Sequence, residues 1–288
     1  MEELKTTYGL IGNPLAHSLS PVMHNTAFRE LGVDAVYKLF PLQEEELADF
    51  FQKLRAKDSP IFGLNVTVPY KEKVLPYLDS ISPFADKAGA VNTIVISKER
   101  KFIGYNTDGP GFLTHLTECG FKPENKRIAV LGAGGASRAI ISVLALITER
   151  PQSIRLFDID RVKAQTLVRD LGTRFDVNCI EVVDSIDDLN IELSDLLINA
   201  TPVGMKPEDP CLVSAELLHP HLFVYDVIYN PAETKLLKLA RQKGAVGCNG
   251  LGMLFYQGIL SFQHWAEIQL DPVIKEKIRQ NLEEALRL

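Results

Sequence analysis

Short apolar runs alternate with amphipathic stretches along the first hundred residues of the chain. Apolar runs at 8–12, 35–42 and 61–68 predict strands, and helical spacing of apolar positions at 21–31 and 44–57 predicts helices between them. Two further predicted strands, at 90–96 and 102–105, are joined by a charged turn at 97–101. This order indicates a small α/β domain with a mostly parallel sheet.

A second series of strands and helices begins at Arg127. A buried strand there is followed by strands at 154–157, 179–183, 196–199 and 223–227, with helices predicted at 138–147, 162–171 and 233–243. The alternation predicts a doubly wound, Rossmann-type domain, with its boundary near residues 109–111. The final stretch, 273–286, has apolar positions at helical spacing and predicts an amphipathic helix, whose packing partner the pattern alone leaves open.

Composition and charge limit the classes of function. The 288 residues are 46% hydrophobic and 24% charged, which is typical of well-packed globular domains, and this length favours two of them. A net charge of −6 without a basic run argues against nucleic acid or an anionic membrane as partner. We find no signal-peptide pattern and no membrane-length apolar run, so we expect a cytoplasmic protein with a small-molecule ligand, as a monomer or a homodimer.

The cysteines do not form a recognisable metal-binding pattern. No C-x-x-C pair occurs, and no histidine stands at a zinc-like spacing from a cysteine. We therefore expect reduced thiols and no metal site. The four residues concerned are Cys119, Cys179, Cys211 and Cys248.

A glycine-rich turn follows the first strand of the second series. The first glycine allows a tight turn, the second lets the backbone approach a pyrophosphate, and the following helix offers its N-terminal amides. The order of strand, turn, helix and strand favours dinucleotide binding over a turn that only packs helix on sheet. The turn consists of Gly132, Ala133, Gly134, Gly135, Ala136 and Ser137.

Asp158 ends the second strand of this series. A carboxylate at that place can bind both ribose hydroxyls of a dinucleotide and would repel a 2′-phosphate, so it predicts NAD over NADP. The alternative is a strand-end aspartate that caps the following helix. If NADP were preferred, Arg161 or Arg138 would be the candidate phosphate ligand.

Polar residues interrupt the apolar strands of the first domain. Ser20 before Pro21 is most simply a helix N-cap. Asn65 and Thr67 share one face of an apolar strand, so their side chains need partners, either a ligand or backbone groups of a crossing loop. The clusters 92–93 and 106–109 stand at predicted strand ends, where turns and caps are the simpler interpretation.

Taken together, these segments closely resemble the shikimate dehydrogenase family. The resemblance follows the family's order over almost the whole chain, through GNPLAHSLSP, NVTVPYK, AVNT, NTDGPGF, GAGGAS, NATPVGM, YNPAETKLL and NGLGMLFYQG. It implies a substrate domain formed by 1–109 and completed by C-terminal helices at 253–288, and a dinucleotide domain at 110–252. The last helix would then cover the first domain.

The resemblance also implies roles for individual residues. Lys71 and Asp108 match the catalytic pair, with Lys71 exchanging the proton of the reacting hydroxyl. Thr201, Gly250 and Met253 match positions at the nicotinamide end. The matching substrate ligands are Ser18, Ser20, Asn65, Thr67, Lys71, Asn92, Asp108, Tyr229 and Gln257.

The chain departs from NADP-using relatives after the second strand of the dinucleotide domain. Those relatives carry Asn-Arg-Thr where this chain has Asp158, Ile159 and Asp160. We therefore expect NAD, with NADP as the alternative, and quinate as an alternative substrate to shikimate. The serines at 18 and 20 resemble the shikimate-selective pattern. A rival of another class is a sensor that binds NAD and a cyclic acid without turnover.

Overall fold

A computed structural model describes residues 5–287 of the chain. The chain divides into two compact units: unit 1 combines the chain up to Thr107 with the segment from Phe255 onward, and unit 2 is Asp108–Leu254. The expected boundaries at 109/110 and 252/253 lie two residues from these. Across residues 5–287, we find no helix with the length and apolar character needed to cross a membrane.

Unit 1 is built on a mixed six-stranded sheet with the order β2-β1-β3-β5-β6-β4. β1 pairs in parallel with β2 and β3. β5 and β6, the two strands predicted on either side of the charged turn, form an antiparallel hairpin, and β5 also pairs antiparallel with β3. The strands are β1 (Thr6–Gly12), β2 (Ala35–Pro41), β3 (Ile61–Val66), β4 (Ser80–Ile81), β5 (Thr93–Ile96) and β6 (Phe102–Tyr105).

Helices cover the sheet of unit 1 and bury its apolar side chains. One core cluster joins Ile11, Leu64 and Ile94 of the sheet to Phe51 of the second helix. The last helix packs on the first and buries Ile278 and Leu282, which gives its amphipathic face a partner. The helices are α1 (Ser20–Glu30), α2 (Leu47–Leu54), α3 (Pro83–Ala88), the part of α8 (Leu251–Ala266) from residue 255 onward, and α9 (Pro272–Arg287).

Unit 2 is a parallel six-stranded sheet with the order β12-β11-β10-β7-β8-β9. This is the doubly wound order: starting from β7, the chain first adds β8 and β9 on one side and then continues on the other side with β10, β11 and β12. The strands are β7 (Arg127–Leu131), β8 (Ser153–Phe157), β9 (Ile180–Val182), β10 (Leu196–Asn199), β11 (Phe223–Asp226) and β12 (Val246–Cys248). The helices are α4 (Asp108–Glu118), α5 (Gly135–Leu146), α6 (Arg161–Gly172) and α7 (Lys235–Gln242).

Three local predictions differ from the structure. Ser20 is the first residue of α1 and not its cap; the backbone N–H of Ser20 donates to Ser18 Oγ at 3.3 Å. β3 ends at Val66, so Thr67 follows the strand instead of sharing its face. A helix, α4, begins at Asp108, where the polar cluster indicated a turn. Burial of apolar side chains later in α4 explains the last difference, because Phe112 and Leu116 are fully buried.

Candidate active site

Asn65 is the centre of a buried hydrogen-bond network in unit 1. Its Oδ1 accepts from the Tyr37 hydroxyl at 2.7 Å, and its Nδ2 lies 3.0 Å from Ser261 Oγ and 3.2 Å from Thr93 Oγ1. Nδ2 also lies 3.2 Å from the backbone carbonyl of Asn92, so a backbone partner contributes, as one sequence interpretation expected. Burial raises the pKa of Tyr37 well above its ordinary value, which keeps the hydroxyl protonated and able to donate.

Asn92 and Gln257 extend the same network. Asn92 Nδ2 donates to Thr107 Oγ1 at 2.9 Å and to Gln257 Oε1 at 3.3 Å, and Asn92 Oδ1 accepts from the Thr107 backbone N–H at 2.7 Å. Ser261, one turn after Gln257 on α8, donates to the Gln257 carbonyl at 2.8 Å. Three residues that match the family's substrate ligands, Asn65, Asn92 and Gln257, therefore belong to one polar cluster.

Three of the other predicted substrate residues, Thr67, Lys71 and Asp108, lie on segments next to members of this cluster. The backbone N–H of Thr67 donates to the Ile11 carbonyl at 2.9 Å, which holds the chain beside the end of β1. The carbonyl of Lys71 accepts from the Val91 backbone N–H at 2.8 Å, so its backbone is fixed one residue from Asn92. Asp108 is buried and directly follows Thr107. Asp108 and Tyr229 both belong to unit 2.

The glycine-rich turn of unit 2 has the backbone geometry that pyrophosphate binding requires. Gly132 has φ +95°, and a Cβ there would lie 2.9 Å from the Ala200 carbonyl oxygen. A Cβ at Gly134 would meet no atom of the described residues within 4 Å, so that side of the turn is open to a ligand. Gly134 is the N-cap of α5, which begins at Gly135. Free amides at this helix N-terminus suit an anionic diphosphate.

Asp158 contacts this turn directly. Its Oδ2 accepts from the Ala133 backbone N–H at 2.7 Å, and its Oδ1 accepts from the Asp160 backbone N–H at 2.9 Å. Asp160, not Asp158, is the N-cap of α6, since its side chain accepts from the Lys163 backbone N–H. The capping interpretation of Asp158 is therefore wrong. Its carboxylate stands at the end of the second strand, next to the turn.

The two arginines considered as phosphate ligands are paired with other carboxylates. Arg161 Nε lies 2.7 Å from Asp184 Oδ1. Arg138 is buried on α5, and its guanidinium donates to the carboxylate of Asp170 on α6. Both cations are therefore directed to acidic side chains of unit 2.

A second hydrogen-bond chain in unit 2 orients Thr201. Its hydroxyl donates to Asn199 Oδ1 at 2.7 Å, and Asn199 Nδ2 donates to Asp226 Oδ1 at 3.0 Å. Thr234 Oγ1 donates to the other oxygen of Asp226 at 2.6 Å, while burial raises the pKa of Asp226. Sequence reasoning missed Asn199 and Asp226, although each is a polar residue at the end of an apolar strand.

The remaining predicted cofactor residues lie after β12. The backbone N–H of Gly250 donates to the Ile228 carbonyl at 3.0 Å, and a Cβ at Gly250 would lie 1.9 Å from the Val227 carbonyl oxygen. Only glycine fits this close approach of two backbone segments. Met253 follows in the first turn of α8 and is buried.

A doubly wound parallel domain with an open glycine-rich turn, together with an α/β unit that holds a buried polar cluster, defines a two-domain nicotinamide-dependent oxidoreductase. Residues 10–94 match the family model described as the shikimate dehydrogenase substrate binding domain. The chain is 41% identical over 280 residues to the NADP(+) shikimate dehydrogenase of Methanopyrus kandleri, covering 95% of each chain. It belongs to the shikimate dehydrogenase family.

Solved structures of the family resemble this chain over nearly its full length. Shikimate 5-dehydrogenase from Listeria monocytogenes, in complex with shikimate and NAD, has a TM-score of 0.85 at 36% identity, with 96% of each chain covered. Quinate dehydrogenase from Corynebacterium glutamicum, in complex with NAD, has a TM-score of 0.87 at 30% identity, covering 97% of this chain and 99% of that one.

Proposed function

We propose that this chain catalyses reversible hydride transfer between shikimate and 3-dehydroshikimate, with NAD as the preferred cofactor. The observation that carries the proposal is the hydrogen-bonded cluster of Asn65, Asn92 and Gln257, because all three match family ligands of the substrate. A cluster of preorganised amides can bind ring hydroxyls at little further entropic cost. Ser18, Ser20, Thr67 and Tyr229 are the other proposed substrate ligands, because they also match family ligands of the substrate.

Lys71 and Asp108 are the proposed catalytic residues. A nicotinamide cofactor supplies the hydride acceptor or donor. Lys71 takes the hydroxyl proton during oxidation and returns it during reduction, while Asp108 accepts a hydrogen bond from the reacting hydroxyl and orients the ammonium. In the reductive direction Lys71 donates its proton to the developing alkoxide.

The cofactor is proposed to bind unit 2 through the residues of the glycine-rich turn. The amides of Gly134, Gly135, Ala136 and Ser137 suit the pyrophosphate, and Thr201, Gly250 and Met253 are assigned to the nicotinamide end. Asp158 is assigned to the ribose hydroxyls of the adenosine half, with Arg161 beside it. The hydrogen bond from Ala133 to Asp158 supports this assignment, since it holds the carboxylate next to the pyrophosphate turn.

The preference for NAD rests on charge. An ionised Asp158 repels the 2′-phosphate of NADP, and Arg138 and Arg161 are already paired with Asp170 and Asp184. Lys163, whose Nζ lies 3.8 Å from Asp158 Oδ2, offsets part of that repulsion. The relative from M. kandleri is named as NADP(+)-dependent, whereas the Listeria enzyme was solved with NAD. The family therefore includes an enzyme named for NADP(+) and one that binds NAD, and the residue at the end of the second strand is the proposed determinant of the preference.

Initial rates of shikimate oxidation with NAD and NADP at matched concentrations test the proposal, with quinate run in parallel. Faster turnover with NAD and shikimate supports it. Clear NADP preference would reject the role of Asp158, and equal or faster turnover of quinate would assign the chain to quinate breakdown. Binding of shikimate and NAD without turnover would identify a sensor instead of an enzyme.

A further inference from the structure

Three potential metal ligands, His115, Cys119 and Cys248, meet in unit 2. Their ligand atoms, one ring nitrogen and two Sγ atoms, all lie within 4.8 Å of one another, and no ion is present. Sequence analysis did not find this cluster: it overlooked the four-residue spacing of His115 and Cys119, and Cys248 stands far from both in the chain. Cys119 and Cys248 are therefore far apart in the sequence but close together in the fold.

Regular secondary structure fixes the three side chains. His115 lies on α4 and Cys119 directly follows that helix, with the Cys119 backbone N–H donating to the His115 carbonyl at 2.9 Å. Residues four apart on a helix lie on one face. Cys248 ends β12, where it is the register partner of Tyr225 on β11. The cluster therefore joins a helix to the edge strand of the parallel sheet.

The distances suit a tetrahedral ion. Bond lengths of about 2.3 Å to sulfur and 2.0–2.1 Å to nitrogen place two sulfurs about 3.8 Å apart, and sulfur and nitrogen about 3.6 Å apart. Cys119 Sγ lies 3.4 Å from His115 Nε2, close to the second value. Because no ligand pair exceeds 4.8 Å, contraction by at most about 1 Å around an ion would complete the geometry.

Neighbouring groups orient the imidazole for coordination through Nε2. His115 Nδ1 lies 2.7 Å from the Tyr225 hydroxyl, so a proton on Nδ1 donated to this oxygen leaves the Nε2 lone pair directed at Cys119. A Cβ at Gly252 would lie 2.0 Å from His115 Cδ2, which places the ring against the backbone of α8. Metal-binding histidines commonly have such a partner on the second nitrogen.

We propose that His115, Cys119 and Cys248 form a binding site for a thiophilic divalent cation of the Zn²⁺ class. The ligand set is one imidazole and two thiolates, and both thiol protons leave to solvent when the ion binds, so the site stays at zero net charge. Cys119 and Cys248 are partly exposed, which gives water access as the fourth ligand. This site is separate from the glycine-rich turn and does not depend on the proposed dehydrogenase function.

The site has a structural consequence for unit 2. Cys248 precedes Asn249 and Gly250, and the turn through these residues connects β12 to α8. An ion bound to Cys248 and to α4 would hold that turn in place. Metal binding is therefore expected to raise the unfolding temperature of the protein, as for any ligand that binds only the folded state.

Titration of the reduced, metal-free protein with Co²⁺ tests the proposal. One equivalent of Co²⁺ should produce thiolate-to-metal charge-transfer absorption, and Zn²⁺ should displace it. The variants Cys119→Ser and Cys248→Ser should each lose this absorption and bind Zn²⁺ more than about 100-fold more weakly. Tyr225→Phe, which removes the partner of His115 Nδ1, should bind Zn²⁺ about 10–100-fold more weakly. Cys179→Ser is the matched control, because it removes another partly buried thiol of unit 2 and should bind one equivalent normally.

Two results would overturn the proposal. The first is an absence of charge-transfer absorption in the reduced wild-type protein at one equivalent of Co²⁺. The second is binding by Cys119→Ser or Cys248→Ser with wild-type affinity, measured by competition with a chromophoric chelator. The wild-type titration decides the matter even if a variant fails to fold.

Discussion

The backbone N–H of Ala133 donates a 2.7 Å hydrogen bond to the carboxylate of Asp158. This contact joins the glycine-rich turn after β7 to the end of β8, the two places where a doubly wound domain binds the pyrophosphate and the adenosine ribose. Asp158 also accepts from the Asp160 backbone N–H, so both of its oxygens are oriented by amides.

Replacing Asp158 by asparagine should shift the cofactor preference toward NADP. The amide oxygen can still accept from Ala133, but the negative charge is gone, so the ratio of kcat/KM for NAD to that for NADP should fall at least about tenfold. Asp160→Asn is the matched control, because it removes a neighbouring charge and retains an N-cap for α6. The same loss in both variants would show that Asp158 has no special role.

The pattern of apolar positions predicted most of the fold, and the exceptions have physical reasons. Five of the six parallel strands of unit 2 were predicted, because each is a short and mostly apolar run. β4 and β12 were missed, since two or three residues are too few to show a periodicity. The start of α4 was missed because Asp108, Gly109, Pro110 and Gly111 are all turn formers, and tertiary burial of the rest of the helix overrides that preference.

The candidate site was predictable only in part. Asn65 was evident because a polar residue on an apolar strand needs a partner. Its partners Tyr37 and Ser261 were not evident from the sequence. A tyrosine is common on a strand and a serine is tolerated on an apolar helix, so neither residue signals a need for a polar partner. The clustering of Cys119 with Cys248 depends on the order of strands in the sheet, which residue spacing does not contain.

Lys71→Ala should lower kcat by about 10²–10⁴-fold while the KM for shikimate changes far less. This is the range expected for loss of a general acid or base. Steady-state kinetics in both directions measures it. Lys73→Ala is the matched control: Lys73 is two residues away, pairs with Glu44, and should retain normal turnover when replaced. A Lys71→Ala enzyme that retains wild-type kcat would contradict the assignment.

Tyr37→Phe should destabilise unit 1 and weaken substrate binding together. The substitution leaves Asn65 Oδ1 buried without its hydroxyl donor, which costs about 1–3 kcal/mol of unfolding free energy. Urea unfolding followed by the fluorescence of Trp265 reports on unit 1, because this is the one tryptophan of the chain. We also expect a higher KM for shikimate, since the Asn65 amide loses its fixed orientation. Tyr77→Phe is the control, at a half-buried tyrosine stacked on Phe51. It should change the free energy of unfolding and the KM for shikimate less than Tyr37→Phe does.

Buried His24 should make unit 1 less stable in mild acid. The ring is 1% exposed and stacks on Tyr37 with centroids 4.4 Å apart, and burial lowers the pKa of His24 to about 3. Below about pH 6.5, the ordinary pKa of histidine, His24 binds a proton in the unfolded state but not in the folded state. The contribution of neutral His24 to the free energy of unfolding is therefore complete above about pH 6.5 and is lost as the pH falls toward about 3.

The loss is measurable between pH 7.5 and 5.5. It should amount to about 1.4 kcal/mol of unfolding free energy, the cost of one pH unit below the unfolded value. Urea unfolding by Trp265 fluorescence at both pH values measures it, since Trp265 lies 5.0 Å from the His24 ring between centroids. His24→Phe removes the titrating group and should reduce the pH dependence by this amount, whereas His221→Gln, at an exposed histidine, should preserve it. An unchanged pH dependence in His24→Phe would mean that the folded protein accommodates a charged imidazole at this place.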